Sequence, residues 1–546
     1  MPCSFRWLWS CVVFGALGVP AAAGEPEPVG RWQLAGDARD SSGNNLHGVN
    51  HGVTFEGKAA RFAGRKGYIE VPASKRLRLG KNDFTFSVWA HTADKLDDVL
   101  GDILSMYDPL KRRGVTWCIK NHAGAPSSQA NYRQLQFGID AGTEPKWRDR
   151  GRPGKSIYTM ALAVHDGQLY AGTCEPGKDS SSKDEAGHVY RLDGESRWLD
   201  CGSPAPCNAV TSLAAYRGKL YAGVGRYRLA GSALPETTNA NLGGKVYRYE
   251  GGKKWIDCGQ LPKTEAVGGL VVYRGDLYAS SLYKPAGFFR YAGESTWEAC
   301  PLPKNGERVD ALTVFNGHLY ATSYDVCAVF RFDGKSWENM GRLEKSGQTY
   351  SFEVHDGELF CGTWPNGRVF RLAGGKEWRD AGRLGKELEV MGMAGYNGRL
   401  YAGTLPLAEV YRFDGGDRWT LTGRLDFSAT RYRRAWSVAV FQGQLFCGTL
   451  PSGHVHSLEA GKCVTHDREL SPGWHRLAAV RQGQRLRLYV DGKQVAESMP
   501  FDADAFDLGD ALPLKIGFGT HDYFNGSLRD LRFYARALTA SELERP

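Results

Sequence analysis

The chain has 546 residues, of which 42% are hydrophobic and 24% charged, with 69 glycines and aromatic side chains at 12%. That composition excludes an intrinsically disordered chain, and the length allows two or three domains with substantial cores. The formal net charge of +9 is modest for this size; it favours anionic partners at low salt but singles out no nucleic acid, and none is expected.

At the N-terminus, Arg6 precedes the apolar run Trp7 to Val19 and then Ala21-Ala22-Ala23, the pattern of a signal peptide over 1–23. The run is short of the roughly 20 residues a spanning helix needs, and no later stretch is long and apolar enough. A secreted or periplasmic, cell-envelope protein that does not span the membrane is therefore expected. Ten cysteines follow the leader, in a compartment that permits disulfides. Cys201, Cys258 and Cys300 recur at equivalent positions of successive repeats, too far apart to bridge. Cys201 with Cys207, across the short loop Gly202 to Pro206, is the one pair expected to form a disulfide.

Residues 29–143 alternate as β-strands between Gly, Asn and Asp turns, as in "ARFAGRKGYIEVP" and "DFTFSVWAHT". Next comes Trp147-Arg148-Asp149-Arg150-Gly151, the ending of a repeat that has not yet begun. From there a hairpin phrase recurs seven times, from "VHDGQLYAGT" to "FQGQLFCGT", with turn glycines at 167, 218, 275, 317, 357, 398 and 443. A period near 40–57 residues belongs to four-stranded propeller blades. Each repeat ends on a strand carrying Trp198, Trp255, Trp297, Trp337, Trp378 or Trp419. The seventh repeat lacks that Trp, and the Trp147 strand is its missing ending. A ring needs its first and last blades locked together, or strand edges stay unpaired. The sequence therefore predicts an all-β chain: a seven-bladed propeller over 144–463, closed by an N-terminal strand and inserted into a β-sandwich made of 29–143 and 464–546.

The flanks resemble the laminin-G-like, concanavalin A-like jelly-roll family, through Asp40-Ser41-Ser42-Gly43-Asn44, Phe84-Thr85-Phe86-Ser87-Val88-Trp89, Trp474-His475-Arg476-Leu477-Ala478 and Leu488-Tyr489-Val490-Asp491-Gly492. The repeats are similar to kelch-type propellers. The first resemblance implies an antiparallel sandwich that binds glycans, matrix proteins or cell surfaces, in some members with calcium. Asp40 and Asn44 are the candidate calcium ligands, in a turn that asks for Asp, Gly and Asn on backbone grounds in any case.

Loops after the second strand of each repeat are elaborated, and binding residues concentrate on such loops. The candidates there are Arg226, Tyr227, Tyr283, Tyr324, Asp325, Trp364 and Asn366, joined by Arg433, Arg434 and Trp436 of "RYRRAW". Aromatic faces beside guanidinium and amide groups suit sugar rings and their acidic substituents. The recurring Trp residues and Arg191, Arg248, Arg290, Arg331, Arg371 and Arg412 read instead as structural. No Asp box and no Gly-x-Ser-x-Gly elbow occurs. The expected function is a binding protein for polysaccharide, matrix or cell-surface ligands. The alternative is a polysaccharide-active hydrolase or lyase with Glu175, Asp325 and Glu389 in the propeller mouth.

Overall fold

The computed structural model describes residues 1–2, 26–124, 128–175, 186–343 and 345–544; from residue 3 onward, the expected signal peptide falls outside them. The protein is all-β, with propeller-like blades and a sandwich. Among the described residues no helix is long and apolar enough to cross a membrane.

The seven hairpin turns explain the repeat signature. Asp166, Arg217, Arg274, Asn316, Asp356, Asn397 and Gln442 all have positive φ, and each is followed by its turn glycine, also at positive φ. Two left-handed residues in succession make the turn whose twist matches antiparallel strands, and the second position is glycine because a side chain there is strained.

Five four-stranded sheets stand separately: 267–299, 312–342, 348–383, 389–424, and the sheet in which Lys146–Asp149 joins Arg434–Phe441, Gln444–Leu450 and Val455–Glu459. The count of separate blades is thus five, not the seven expected. The repeats at 158–200 and 209–260 also form four-stranded meanders. They are fused, however, through Cys174↔Ala209 and, by a parallel bridge, Ala214↔Gln129, into one fifteen-stranded sheet with part of the sandwich. The first strands of all these units touch in succession, and Arg434–Phe441 returns to Tyr158–His165.

The early "tail" closes this circle. Lys146, Trp147, Arg148 and Asp149 pair antiparallel with Glu459, Leu458, Ser457 and His456. Each outer-strand Trp donates its indole N–H to the preceding outer strand or its continuation: Trp198 to Arg150 O at 2.9 Å, Trp255 to Cys201 O at 2.9 Å, Trp419 to Ala381 O at 2.8 Å. Trp147 makes the equivalent bond to Thr422 Oγ1 at 3.3 Å. The repeated Trp is a staple between units, and the repeated Arg is an ion-pair partner, half-exposed in Arg331–Glu338 and buried in Arg412–Asp414.

Strands from both flanks interleave in the sandwich. One sheet runs Thr54–Glu56, Ala59–Ala63, Asn525–Tyr534, Phe84–Thr92, Gly473–Gln482, Arg485–Val490, Lys493–Glu497, with Gly30–Trp32 also on Asn525–Tyr534. The facing strands include Tyr68–Val71, Leu514–Ile516, Gly101–Asp108, Arg113–Gly124, Ser128–Ala141 and Lys462–His466. Phe86 stacks on Phe533 at 5.0 Å, and Trp117 meets Phe137 edge-on, in the core between the sheets.

The two strands Arg113–Gly124 and Ser128–Ala141 reach from the sandwich onto the first strands of the propeller units. Their polar side chains satisfy backbone groups near the C-terminal ends of those strands, which would otherwise be orphaned. Leu213 N donates to Ser128 Oγ (3.1 Å), Val272 N to Gln129 Oε1 (2.7 Å) and Val440 N to Asn131 Oδ1 (3.0 Å). Lys120 Nζ and His122 Nδ1 both lie 2.5 Å from the buried Glu353 carboxylate.

The expected disulfide is not formed. Cys201 and Cys207 are free thiols, and each donates to a different backbone carbonyl two residues away, Leu199 O at 3.7 Å and Ala209 O at 3.8 Å.

Candidate functional site

At the N-terminal ends of the first strands, opposite the sandwich strands, lies a cavity of about 500 Å³. Counting back from the turn glycines, position −9 of the seven repeats holds Tyr158, Ala209, Ala266, Arg308, Gln348, Glu389 and Arg434, and position −7 holds Met160, Thr211, Gly268, Asp310, Tyr350, Met391 and Trp436. Most of these line the cavity. β-bulges fall at the −7 residues of six first strands, between Thr159 and Ala161, Thr349 and Ser351, and Ala435 and Val438, for example. A bulge bends the strand and re-aims a side chain, here into the mouth. The repeats agree at their turns and differ at these two positions, so the mouth is chemically asymmetric.

Arg434 and Glu389 anchor its floor. Arg434 is 5% exposed, and its one side-chain hydrogen bond among the described residues runs from Nη2 to Gly231 O at 3.5 Å. Its buried Nε and Nη1 have no partner, nor has the Tyr158 hydroxyl. Burial works against the guanidinium's charge, but Tyr227, Tyr158 and Glu389 more than offset it and hold the group above its ordinary value. Glu389, 4% exposed, is pushed up to about 7 by burial, with the Arg434 charge acting the other way.

Aromatic rings form the wall. Trp436 donates to Met160 O at 3.0 Å and meets Tyr158 and Tyr350 edge-on at 5.2 and 5.8 Å. Tyr324 meets Tyr350 at 5.9 Å, and Tyr227 meets Tyr158 at 5.6 Å. Tyr283 accepts from Arg228 N at 3.0 Å and carries the Arg228 guanidinium over its ring at 4.4 Å. At the rim, Arg308 lies 4.9 Å over Tyr324 and donates to Asp325 at 2.9 Å. Burial acts to raise the Asp325 carboxyl, but the Arg308 hydrogen bonds prevail and hold it below the usual range. Asp310, beside Arg308, is pushed up by burial to about 7, and its Oδ1 has no partner.

Of the residues expected from the sequence, Tyr227, Tyr283, Tyr324, Trp364, Glu389, Arg434 and Trp436 line this cavity. Asp325 does not line it; it pairs with the lining residue Arg308 and with Lys284. Asn366 ties loops through Lys345 O and Thr363, and Arg433 through Pro406 O and Ser428 O. Arg226 and Glu175 lie outside; Glu175 accepts from Tyr190 at 3.3 Å. Tyr158, Asp310, Tyr350 and Arg308 were not singled out from the sequence. The available signal was their divergence at repeat-equivalent positions. The Asp40 oxygens accept from Arg31 N, Ser42 N, Ser42 Oγ and Leu46 N, all at 2.9 Å, while Asn44 Nδ2 donates to Val29 O. No cluster of metal-ligating side chains occurs among the described residues.

The sandwich presents a second aromatic surface. Trp474 is 36% exposed. Arg529 stacks between Trp89 and Trp474, at 5.1 and 4.4 Å, and His91 and Arg61 lie in the adjoining row.

Comparison with known proteins assigns the second module. Residues 416–544 match the concanavalin A-like lectin/glucanases superfamily. That match begins in the last propeller units and runs through the C-terminal flank. Among solved structures, the chain is similar to a streptogramin B lyase, with 11% identity and a TM-score of 0.46 over 58% of this chain and 98% of that one. Virginiamycin B lyase from Staphylococcus aureus gives 12% and 0.45 over 58% and 99%. The extracellular domain of a hybrid two-component system from B. thetaiotaomicron gives 12% and 0.40 over 64% and 46%. No curated protein matches.

Proposed function

We propose that the protein is a secreted carbohydrate-binding protein whose ligand seats a ring in the propeller mouth. In this reading 29–143 and 464–546 form one discontinuous sandwich, and 144–463 form a single ring of seven four-stranded units around the ligand. The observation that carries it is the buried Arg434, with two unpartnered nitrogens among Tyr158, Tyr227, Tyr350 and Trp436. Sugar rings stack on such faces, and polar substituents take up the open donors. The Trp89–Arg529–Trp474 layer supplies a second contact for a longer chain.

The test is an array of neutral, uronate-bearing and sulfated polysaccharides. Binding is expected to fall at least tenfold in Trp436→Ala; an unchanged pattern sinks the mouth as the site. Glu389, poised near neutral pH, also favours a second reading, in which it serves as an acid or base in saccharide cleavage. That reading requires released sugar ends that disappear in Glu389→Gln while binding persists.

A further inference from the structure

We infer that the ligand of the mouth bears a carboxylate, which pairs with Arg434 while Glu389 takes up one proton from solvent. This rests on the mouth being the ligand site. Arg434 leaves Nε and Nη1 open on separate edges of its guanidinium, and each offers a charged N–H to a ligand carboxylate oxygen. Glu389 shares that floor, near enough for each group's charge to act on the other.

One guanidinium balances one carboxylate. A second carboxylate entering a buried site would leave an uncompensated negative charge, a costly arrangement unless one group is neutralised. Glu389 is the group able to yield. The groups facing it are Arg434, Tyr158, Tyr227 and Tyr350, and the three hydroxyls are all pushed up by burial and remain neutral. Asp310 is the other near-neutral pocket carboxyl, but it sits two units round the ring, beside Arg308. The balance is simple: ligand carboxylate replaces Glu389 carboxylate as counter-ion to Arg434, and Glu389 becomes a carboxylic acid that donates a hydrogen bond.

The experiment is calorimetric titration with 4-nitrophenyl β-D-glucuronide and its neutral glucoside, in two buffers of different ionisation enthalpy. The glucuronide is expected to bind at least tenfold more tightly. At pH 7.5 its binding is expected to take up about 0.8 proton, the ionised fraction of a carboxyl titrating at about 7. Its affinity is expected to fall about tenfold per unit above pH 8. Glu389→Gln, confirmed folded by near-ultraviolet circular dichroism, is expected to bind the glucuronide with no proton uptake and a flat pH profile. Asp310→Asn is expected to retain the uptake, and Arg434→Met to lose the preference for the acid. Equal binding of the two compounds overturns the inference and leaves the mouth standing. Glucuronide binding without uptake overturns it too, as does uptake that survives Glu389→Gln or vanishes in Asp310→Asn. If neither compound binds, both the inference and the mouth reading fall.

Discussion

Glu353→Ala is expected to be among the most damaging single substitutions in the chain. The Glu353, Lys120 and His122 side chains are 3%, 2% and 0% exposed, and Glu353 Oε1 also accepts from Gly395 N at 2.9 Å. Burial acts to raise the Glu353 carboxyl, but Lys120 and His122 prevail and hold it well below the usual range. Removing it strands the Lys120 ammonium and the Gly395 N–H, which costs about 3–5 kcal/mol by analogy with other broken buried pairs. In a chain of this size that corresponds to roughly 3–4 °C in melting temperature. Differential scanning calorimetry of wild type, Glu353→Ala and the double variant Lys120→Met/Glu353→Met tests this. The double variant should recover most of the loss, since no unpaired charge remains. The sign with pH follows from the depressed carboxyl: its stabilisation is present above the unfolded value of 4.5 and is lost as pH falls below that. A single variant melting within about 1 °C of wild type, or a double variant worse than the single, would refute the reasoning.

Trp147→Ala removes the ring's last staple, with its bond to Thr422 and its packing against Gly423; a loss of about 2 kcal/mol is expected for a partly buried Trp, measured as a drop in melting temperature and faster proteolysis at both propeller ends. Asp102, Asp310, Asp467 and Glu389 are all pushed up by burial to about 7. The folded chain keeps protons on these groups that the unfolded chain has already released, so melting temperature should fall as pH rises towards about 7, most steeply between 6.5 and 7, and level off above it. His355 and His521, pushed down by burial to about 3, act in the opposite sense only below about 6.5, so a melting temperature that rises above that pH contradicts this account. All ten cysteines from Cys118 to Cys463 are thiols; reductant should leave the melting temperature unchanged, and a reductant-dependent drop would restore the disulfide reading.

Much of the fold was legible because its determinants are local. The residue-glycine turns announce themselves by the positive φ they need, and Trp147 could be assigned to the last repeat because its neighbours copy Trp378-Arg379-Asp380. What was not legible depended on contacts between distant segments. Ala214 and Gln129 are 85 residues apart, and their bridge, with Cys174↔Ala209, fuses two units into the sandwich sheet. Loop position alone put Asn366, Arg433 and Arg226 in the site, yet their side chains or backbones are spent on neighbouring loops. Tyr158, Asp310 and Tyr350 escaped notice because they sit on or beside strands, where a polar residue reads as ordinary alternation. Bulges at the −7 residues of six first strands, invisible in sequence, help turn that row into the mouth.

The same repeat logic separates function from architecture at single positions. The turn glycines and the closing Trp are equal around the ring because each solves a problem every unit has: a tight turn and a bond to the neighbour. At −9 and −7 no such shared problem exists, since most of these residues line the cavity. The strands Arg113–Gly124 and Ser128–Ala141 engage the other end, where Gln129, Asn131 and Glu353 are consumed in backbone and ion-pair contacts. The end without those strands is where Arg434 keeps its unpartnered nitrogens. A buried guanidinium left open is costly to the folded chain, and a ligand that fills it relieves that cost, so occupancy of the mouth should raise the melting temperature with ligand concentration. Arg434→Met should then be more stable than wild type without ligand and gain less from an acidic one than wild type does. A variant that loses stability instead would show that Arg434 serves the fold and not the ligand.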